Sequence, residues 1–217
     1  MFKDKLLLRR IVMAIVGIAA TALAVALQKT IAWGVDPFSV FTFGIGKLTG
    51  LSYSVIFPIV CAVLLMTALL IRRSLIGLIG AATLIVLFLN GYMVDFFYSI
   101  TGAFWPVEST GVFTRLLLLL ATMVIICIGS ALYYTAALGV SPYDAQALSI
   151  ADRFKKIPFK YARIGTDVFC VTVGFLCMIG ESDKFDYVNF ATLVFAFGMG
   201  PIIAWCRKHI SEPLLKK

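Results

Sequence analysis

Six apolar runs dominate the chain, at residues 11–32, 53–71, 75–97, 113–137, 162–180 and 188–206. Each is close to the roughly 20 residues an α-helix needs to cross the ~30 Å hydrocarbon layer of a bilayer. One water-soluble core has no room for so much apolar surface. Of the 217 residues, 61% are hydrophobic and only 14% charged, against about half and a quarter in a soluble domain. Lipid is therefore the expected solvent. In lipid the backbone must satisfy its own hydrogen bonds, which for runs of this length means helices. The expected fold is an all-α membrane protein with the lipid bilayer as its first partner.

Two shorter, more polar segments lie between the runs, at 37–50 and 142–154. As helices each would reach about 20 Å, too short to span. The same corner introduces both: Gly34-Val35-Asp36-Pro37-Phe38, then Gly139-Val140-Ser141-Pro142-Tyr143. Setting Gly34 on Gly139 also sets Ala26 on Ala131, Leu27 on Leu132, Thr30 on Thr135 and Ile45 on Ile150. After a short insertion, Ala82-Thr83-Leu84 falls on Ala191-Thr192-Leu193, Phe88 on Phe197 and Gly91 on Gly200. Alanine and leucine matches carry little weight here. A repeated G-V-x-P-aromatic does, because the chain has only seven prolines. The chain thus reads as a duplication inside one membrane domain: a first repeat at 1–110 and a second at 111–217. Each repeat is a long span, a corner, a short amphipathic or re-entrant helix, and two more spans.

Three spans is an odd number, so the second repeat is expected to be inverted, giving six transmembrane helices in all. The charges agree with this. With the N-terminus in the cytoplasm, all but four of the 19 Lys and Arg residues fall on the inner side; the exceptions are Lys29, Lys47, Arg115 and Lys184. That is the positive-inside pattern, with both termini cytoplasmic. The loop at Glu181-Ser182-Asp183-Lys184 is mostly acidic, whereas its counterpart at Arg72-Arg73 is basic, as opposite sides of a membrane require. The net charge of +8 is read as topology, and no nucleic-acid partner is expected. Lys3, Lys5, Arg9 and Arg10 ahead of a run ending in Ala22–Ala26 resemble a signal peptide. That run has an internal duplicate which no signal peptidase removes, so it is read as the first span.

The corner has a structural reading and a functional one. Structurally, Gly34 and Gly139 take positive φ and end the preceding span as C′ residues. Asp36 and Ser141 are N-caps, and Pro37 and Pro142 suit the first helical position. Ser39 and Asp144 follow three residues after each cap, so Ser141 with Asp144 makes a capping box and Asp36 with Ser39 the same pair swapped. Functionally, helix N-termini carry positive partial charge and free N–H groups. Two of them brought together by an inverted repeat make a binding site of the kind found in broken-helix transporters. Asp36, Ser39, Ser141 and Asp144 are then the substrate-binding candidates, joined by Asn90 inside the third span.

Asp167 lies inside the fifth span. An intramembrane carboxylate is costly and marks function by default; the structural alternative is an i, i+4 pair with Arg163. It is the candidate for proton coupling. Asp95 is a weaker case near a span end, and Gln28 and Lys29 are expected to reach the interface. Tyr98, Trp105 and Trp205 suit interfacial belts, and Gly17, Ala20 and Ala24 suit close helix packing.

Other chemistry is thin. The five cysteines form no C-x-x-C and His209 is the only histidine, so no metal site, disulfide framework or catalytic triad is expected. Gly44-Ile45-Gly46-Lys47-Leu48-Thr49 lacks the spacing and the preceding strand of a phosphate loop. No cofactor is expected, and no enzymatic activity.

The duplicated corner, above all Gly139-Val140-Ser141-Pro142-Tyr143-Asp144, resembles that of the YczE/YitT-like bacterial integral membrane proteins, which carry such a glycine-rich corner twice, each followed by a short helix. The likeness covers nearly the whole chain. The first copy departs from it at Ser39, where the acidic residue is expected. The resemblance implies a bacterial cytoplasmic (inner) membrane protein; it does not bring a known activity with it, and transport is the expectation. The expectation is a small secondary transporter or permease for a small molecule bound near the paired corners. Its rivals are a non-transporting accessory or scaffold protein, whose basic Arg153–Arg163 face meets a partner or anionic lipid, and a channel. A homodimer or another membrane partner stays open.

Overall fold

The structure is a computed structural model that describes residues 2–73, 79–104 and 111–216. The described residues are helical, with no strand among them. In chain order the helices are α1 (Phe2–Ile31), α2 (Pro37–Thr49), α3 (Tyr53–Arg72), α4 (Ala81–Phe104), α5 (Val112–Ala136), α6 (Pro142–Arg153), α7 (Phe159–Cys177), α8 (Lys184–Tyr187), α9 (Phe190–Cys206), a π-helical turn (Arg207–Ser211) and α10 (Glu212–Lys216).

Five stretches are long and apolar enough to cross a membrane: Leu6–Ile31, Tyr53–Arg72, Ala81–Phe104, Val112–Ala136 and Lys184–Leu215. The helix covering the remaining apolar run, α7, carries Lys160, Arg163 and Asp167 in its 19 residues. The exterior is apolar, as lipid requires. Val63, Met66 and Leu70 of α3 and Phe88, Tyr92 and Phe96 of α4 all point outward. Trp105 lies outside the described residues.

Two long helices form the centre. Gly17 of α1 and Gly129 of α5 meet backbone to backbone: a Cβ on Gly17 would lie 2.5 Å from the Gly129 carbonyl oxygen, and one on Gly129 would lie 2.8 Å from that of Gly17. The partners run in opposite order, Gly17 reaching Tyr133 while Thr21 reaches Gly129, so the helices are antiparallel. Small residues at this crossing let the backbones approach where lipid supplies no hydrophobic drive. Around this pair, α4 packs on α1 and α9 on α5, while α2 packs on α7 and α3 on α6. Gly44 of α2 abuts Gly174 of α7 as closely as the central pair does. Two hydroxyl contacts tie helix ends together: Thr30 to Thr101 at 2.7 Å and Thr135 to Ser211 at 2.5 Å.

The corners differ from expectation in one respect. The left-handed residues closing α1 and α5 are Ala32 (φ 53°) and Ala137 (φ 51°), not the glycines. Gly34 (φ 98°) and Gly139 (φ 116°) follow two residues later. Each corner thus needs two positive-φ residues to turn the chain back. Glycine is required at the second because a neighbouring helix start lies against it. A Cβ on Gly34 would meet Asn189 and Thr192; one on Gly139 would meet Thr83 and Gly80.

Candidate functional site

Beyond each glycine the chain folds back along the helix it has just left. At the first corner, the buried Gln28 side chain accepts a hydrogen bond from the Asp36 N–H at 3.0 Å. Gln28 therefore does not reach the interface as its place near a span end suggested; it fixes the returning backbone to the last turn of α1. The N-terminus of α2 consequently opens inward. There Asp36 caps the helix, its carboxylate accepting from the Ser39 N–H at 3.2 Å and from the Ser39 hydroxyl at 2.6 Å. Pro37 takes the first helical position.

The second corner repeats the plan with the two residues exchanged. Ser141 caps α6, accepting from the Asp144 N–H at 3.1 Å, and its hydroxyl donates to the Asp144 carboxylate at 2.7 Å. Pro142 is again at the first helical position. The residues after the two prolines then meet: the rings of Phe38 and Tyr143 stack with centroids 4.7 Å apart and planes 17° from parallel. Two helix N-termini, one from each half of the chain, therefore face one another.

They face one another across a cavity of about 110 Å³. Asp36, Ser39, Ser141 and Asp144 line it, and so does Asn90 of α4. All five substrate-binding candidates thus lie on one wall system, completed by the middles of α1 and α5 through Thr21 and Ser130. Gly34 and Gly139 do not line it. They sit behind it as joints, with the Gly34 and Val35 N–H groups donating to the Asp186 and Tyr187 carbonyls at 2.8 and 3.0 Å. At the other joint, the Ala82 N–H donates to the Leu138 carbonyl at 3.0 Å and the Thr83 hydroxyl to the Val140 carbonyl at 2.7 Å.

Arg163 of α7 ties the second corner together. It forms an ion pair with Asp144, lies 3.3 Å from Asp167 through Nε, and stacks its guanidinium 4.2 Å above the Tyr143 ring. The hydroxyls of Tyr134 and Tyr143 donate to Asp144 and Asp167 respectively. Asp167 therefore makes the expected i, i+4 pair with Arg163, and a second contact that reaches the cavity wall through Tyr143. The sequence reading gave Arg163 only that one pair and overlooked Tyr133 and Tyr134. A tyrosine pair one helical turn before the corner is unremarkable in an apolar run, so no local signal marks it. Tyr133 lines the cavity, is only 5% exposed, and its hydroxyl has no hydrogen-bond partner among the described residues.

A second cavity, of about 280 Å³, lies beside the first and is lined by Lys29, Lys47, Tyr53 and Tyr187 among others. Tyr53 belongs to both walls. The lysines here are engaged. Lys47 pairs with Asp183 at 2.5 Å, and the Lys29 ammonium sits 3.8 Å over the Tyr98 ring. Asp95 caps α3, accepting from the Ser54 N–H at 3.0 Å.

No curated protein and no solved structure matches the chain. The profile of one family covers residues 8–208, nearly the whole chain, and the protein therefore belongs to DUF6198, a family of unknown function.

Proposed function

We propose that this protein is a small secondary transporter of the YczE/YitT-like type, built of six spans in two inverted repeats, with its substrate bound between the two corners. One observation carries the reading: the N-termini of two short helices, one from each half of the chain, converge on a single cavity beside the middles of α1 and α5. Short helices that end deep in a bundle, with their N-termini on a polar cavity, are the binding device of broken-helix transporters. In this reading α7 is the sixth span, and its Arg163 faces the cavity rather than lipid, as intramembrane charges do.

The pattern of contacts supports inversion. The first corner docks on the start of α9, and the second on the start of α4. The threonines that receive them, Thr192 and Thr83, are the pair that superimposes in the sequence alignment of the halves. Lys47 pairs with Asp183 at one end, and Asp152 with Arg72 at the other, so equivalent positions carry opposite charge. With the N-terminus cytoplasmic, the Arg72 end is the inner one, in keeping with the positive-inside rule. The protein would then sit in the bacterial cytoplasmic membrane with both ends inside.

In the transport cycle, the larger cavity is the vestibule and Tyr53 the septum between it and the site. Asp167 is placed to exchange a coupling proton, since loss of its charge alters the hold of Arg163 on Asp144. The test needs no known substrate. Ser39→Cys is introduced into a cysteine-free background and exposed to a membrane-impermeant thiol reagent from each side of oriented vesicles. Alternating access requires labelling from both sides. Labelling from neither side, with the protein folded, sinks the reading in favour of a non-transporting scaffold. Simultaneous conductance to both sides favours a channel.

A further inference from the structure

We propose that the cavity binds a small organic cation, an ammonium group on a short alkyl chain, with Asp36 as its counter-ion. The proposal names the substrate class for the transport reading and rests on that reading for the route by which solute arrives.

Charge is the first argument. Three carboxylates surround the corners, those of Asp36, Asp144 and Asp167, and among the described residues Arg163 is the one cation lining the cavity. Its guanidinium is committed to Asp144 and Asp167. Among the described residues no ion pair reaches Asp36, whose side-chain hydrogen-bond partner is Ser39. An ionised carboxylate offers about four acceptor sites, so donors from Ser39 leave room for a ligand N–H. With all three carboxylates ionised, the roughly half positive charge at each of the two helix N-termini still leaves the cluster negative. An anion would meet Asp36 directly and find no free guanidinium.

The walls are the second argument. Phe38, Tyr53, Phe57, Tyr133, Tyr134 and Tyr143 all line this space. Aromatic faces attract cations, most strongly where water is excluded. One of them, Tyr143, already holds the Arg163 guanidinium over its face. Third, the buried and unpartnered Tyr133 hydroxyl leaves a polar group unsatisfied at a cost that a ligand donor relieves. Finally, size sets the limit. A cavity of about 110 Å³ is smaller than the ~150 Å³ void that takes up a benzene, which restricts the ligand to roughly four to six non-hydrogen atoms.

The experiment measures thermal unfolding of the purified full-length protein with alkylammonium chlorides from methyl to butyl, beside alkanols and alkanoates of matching length. The ammonium series is expected to raise the unfolding midpoint, with an optimum near propylammonium, while the alkanols and alkanoates leave it in place. Asp36→Asn keeps a good helix cap, so it should fold with an unchanged midpoint and lose the propylammonium response. Tyr133→Phe should weaken propylammonium binding by about tenfold or more, the loss of one hydrogen bond to a charged group. Stabilisation by alkanoates, or a propylammonium response that survives Asp36→Asn, overturns the proposal. No stabilisation by the ammonium series also overturns it; two-sided labelling of Ser39→Cys would then show that the transport reading stands while the substrate class is wrong.

Discussion

The two corners share one backbone plan and differ in what happens to their carboxylates. At the second corner Asp144 is three residues inside the helix and is bound by Arg163, Tyr134 and Ser141. At the first, Asp36 is the cap itself and its side-chain partner is Ser39 rather than a cation. Exchanging the acidic and hydroxyl residues between two positions three residues apart leaves the capping intact, since Asp and Ser are equally good caps. It changes which half of the cavity carries an uncompensated charge. The pair of corners thus acquires asymmetry, one a closed ionic cluster and the other an open carboxylate, without altering the turn.

The largest expected effect tests that asymmetry directly. Arg163→Ala leaves Asp144 and Asp167 buried without their cation and should cost about 3–5 kcal/mol, the usual result of removing one partner of a buried pair. Asp36→Asn should cost less than about 0.5 kcal/mol, because Asn caps as well as Asp. Denaturant unfolding in detergent micelles measures both, and equal costs would mean that the corners are energetically alike.

The joints come next. Gly139→Ala strains a residue at φ 116° and drives its Cβ against the Gly80 backbone nitrogen at 2.6 Å. Its cost should be about 2–4 kcal/mol. Gly34→Ala meets side-chain atoms of Asn189 and Thr192 first, which can give way, so it should cost less than Gly139→Ala in the same assay. A reversed order would show that the Thr192 side is the more rigid.

Smaller is the loss of a cap. Ser141→Ala removes the acceptor for the Asp144 N–H and should cost about 1 kcal/mol, read as a shift in the unfolding midpoint. Smallest are the two charge pairs at the ends of the short helices. Lys47→Ala and Asp152→Ala remove partly exposed pairs, each worth about 0–1 kcal/mol. A much larger loss at Lys47 would make that pair a latch between states rather than a surface contact.

The apolar helices and the corners were legible in the sequence because lipid imposes length and hydropathy on the first, and glycine, proline and capping chemistry mark the second; of the six apolar runs, the one that folds as α7 is not among the five span-like stretches. Asp36 and Ser141 cap their helices as their spacing implied, but the Asp144 carboxylate binds the Ser141 hydroxyl, Tyr134 and Arg163 instead of closing a capping box. What the sequence did not carry was which residue takes the left-handed position. Ala32 and Ala137 look like ordinary helix residues, and only the return of the chain along α1 and α5 forces them to positive φ. Gln28 was likewise invisible: a polar residue near a span end suggests an interface, and its role depends on where Asp36 arrives. Arg163 was placed beside Asp167 by helical periodicity, but its longer reach to Asp144 depends on how α6 packs against α7. Periodicity along one helix does not encode contacts between helices distant in sequence.

The exchange of joints between the halves has a consequence for how the protein is made. The Gly34 and Val35 N–H groups find their acceptors at Asp186 and Tyr187, near the far end of the chain. Until those residues leave the ribosome, the first corner has donors with nowhere to go, and in hydrocarbon an unmet donor costs several kcal/mol. At about 5–20 residues per second, that interval is on the order of ten seconds. During it the first half needs water, lipid headgroups or the insertion machinery beside its corner, and it becomes a closed structure only when α9 is delivered.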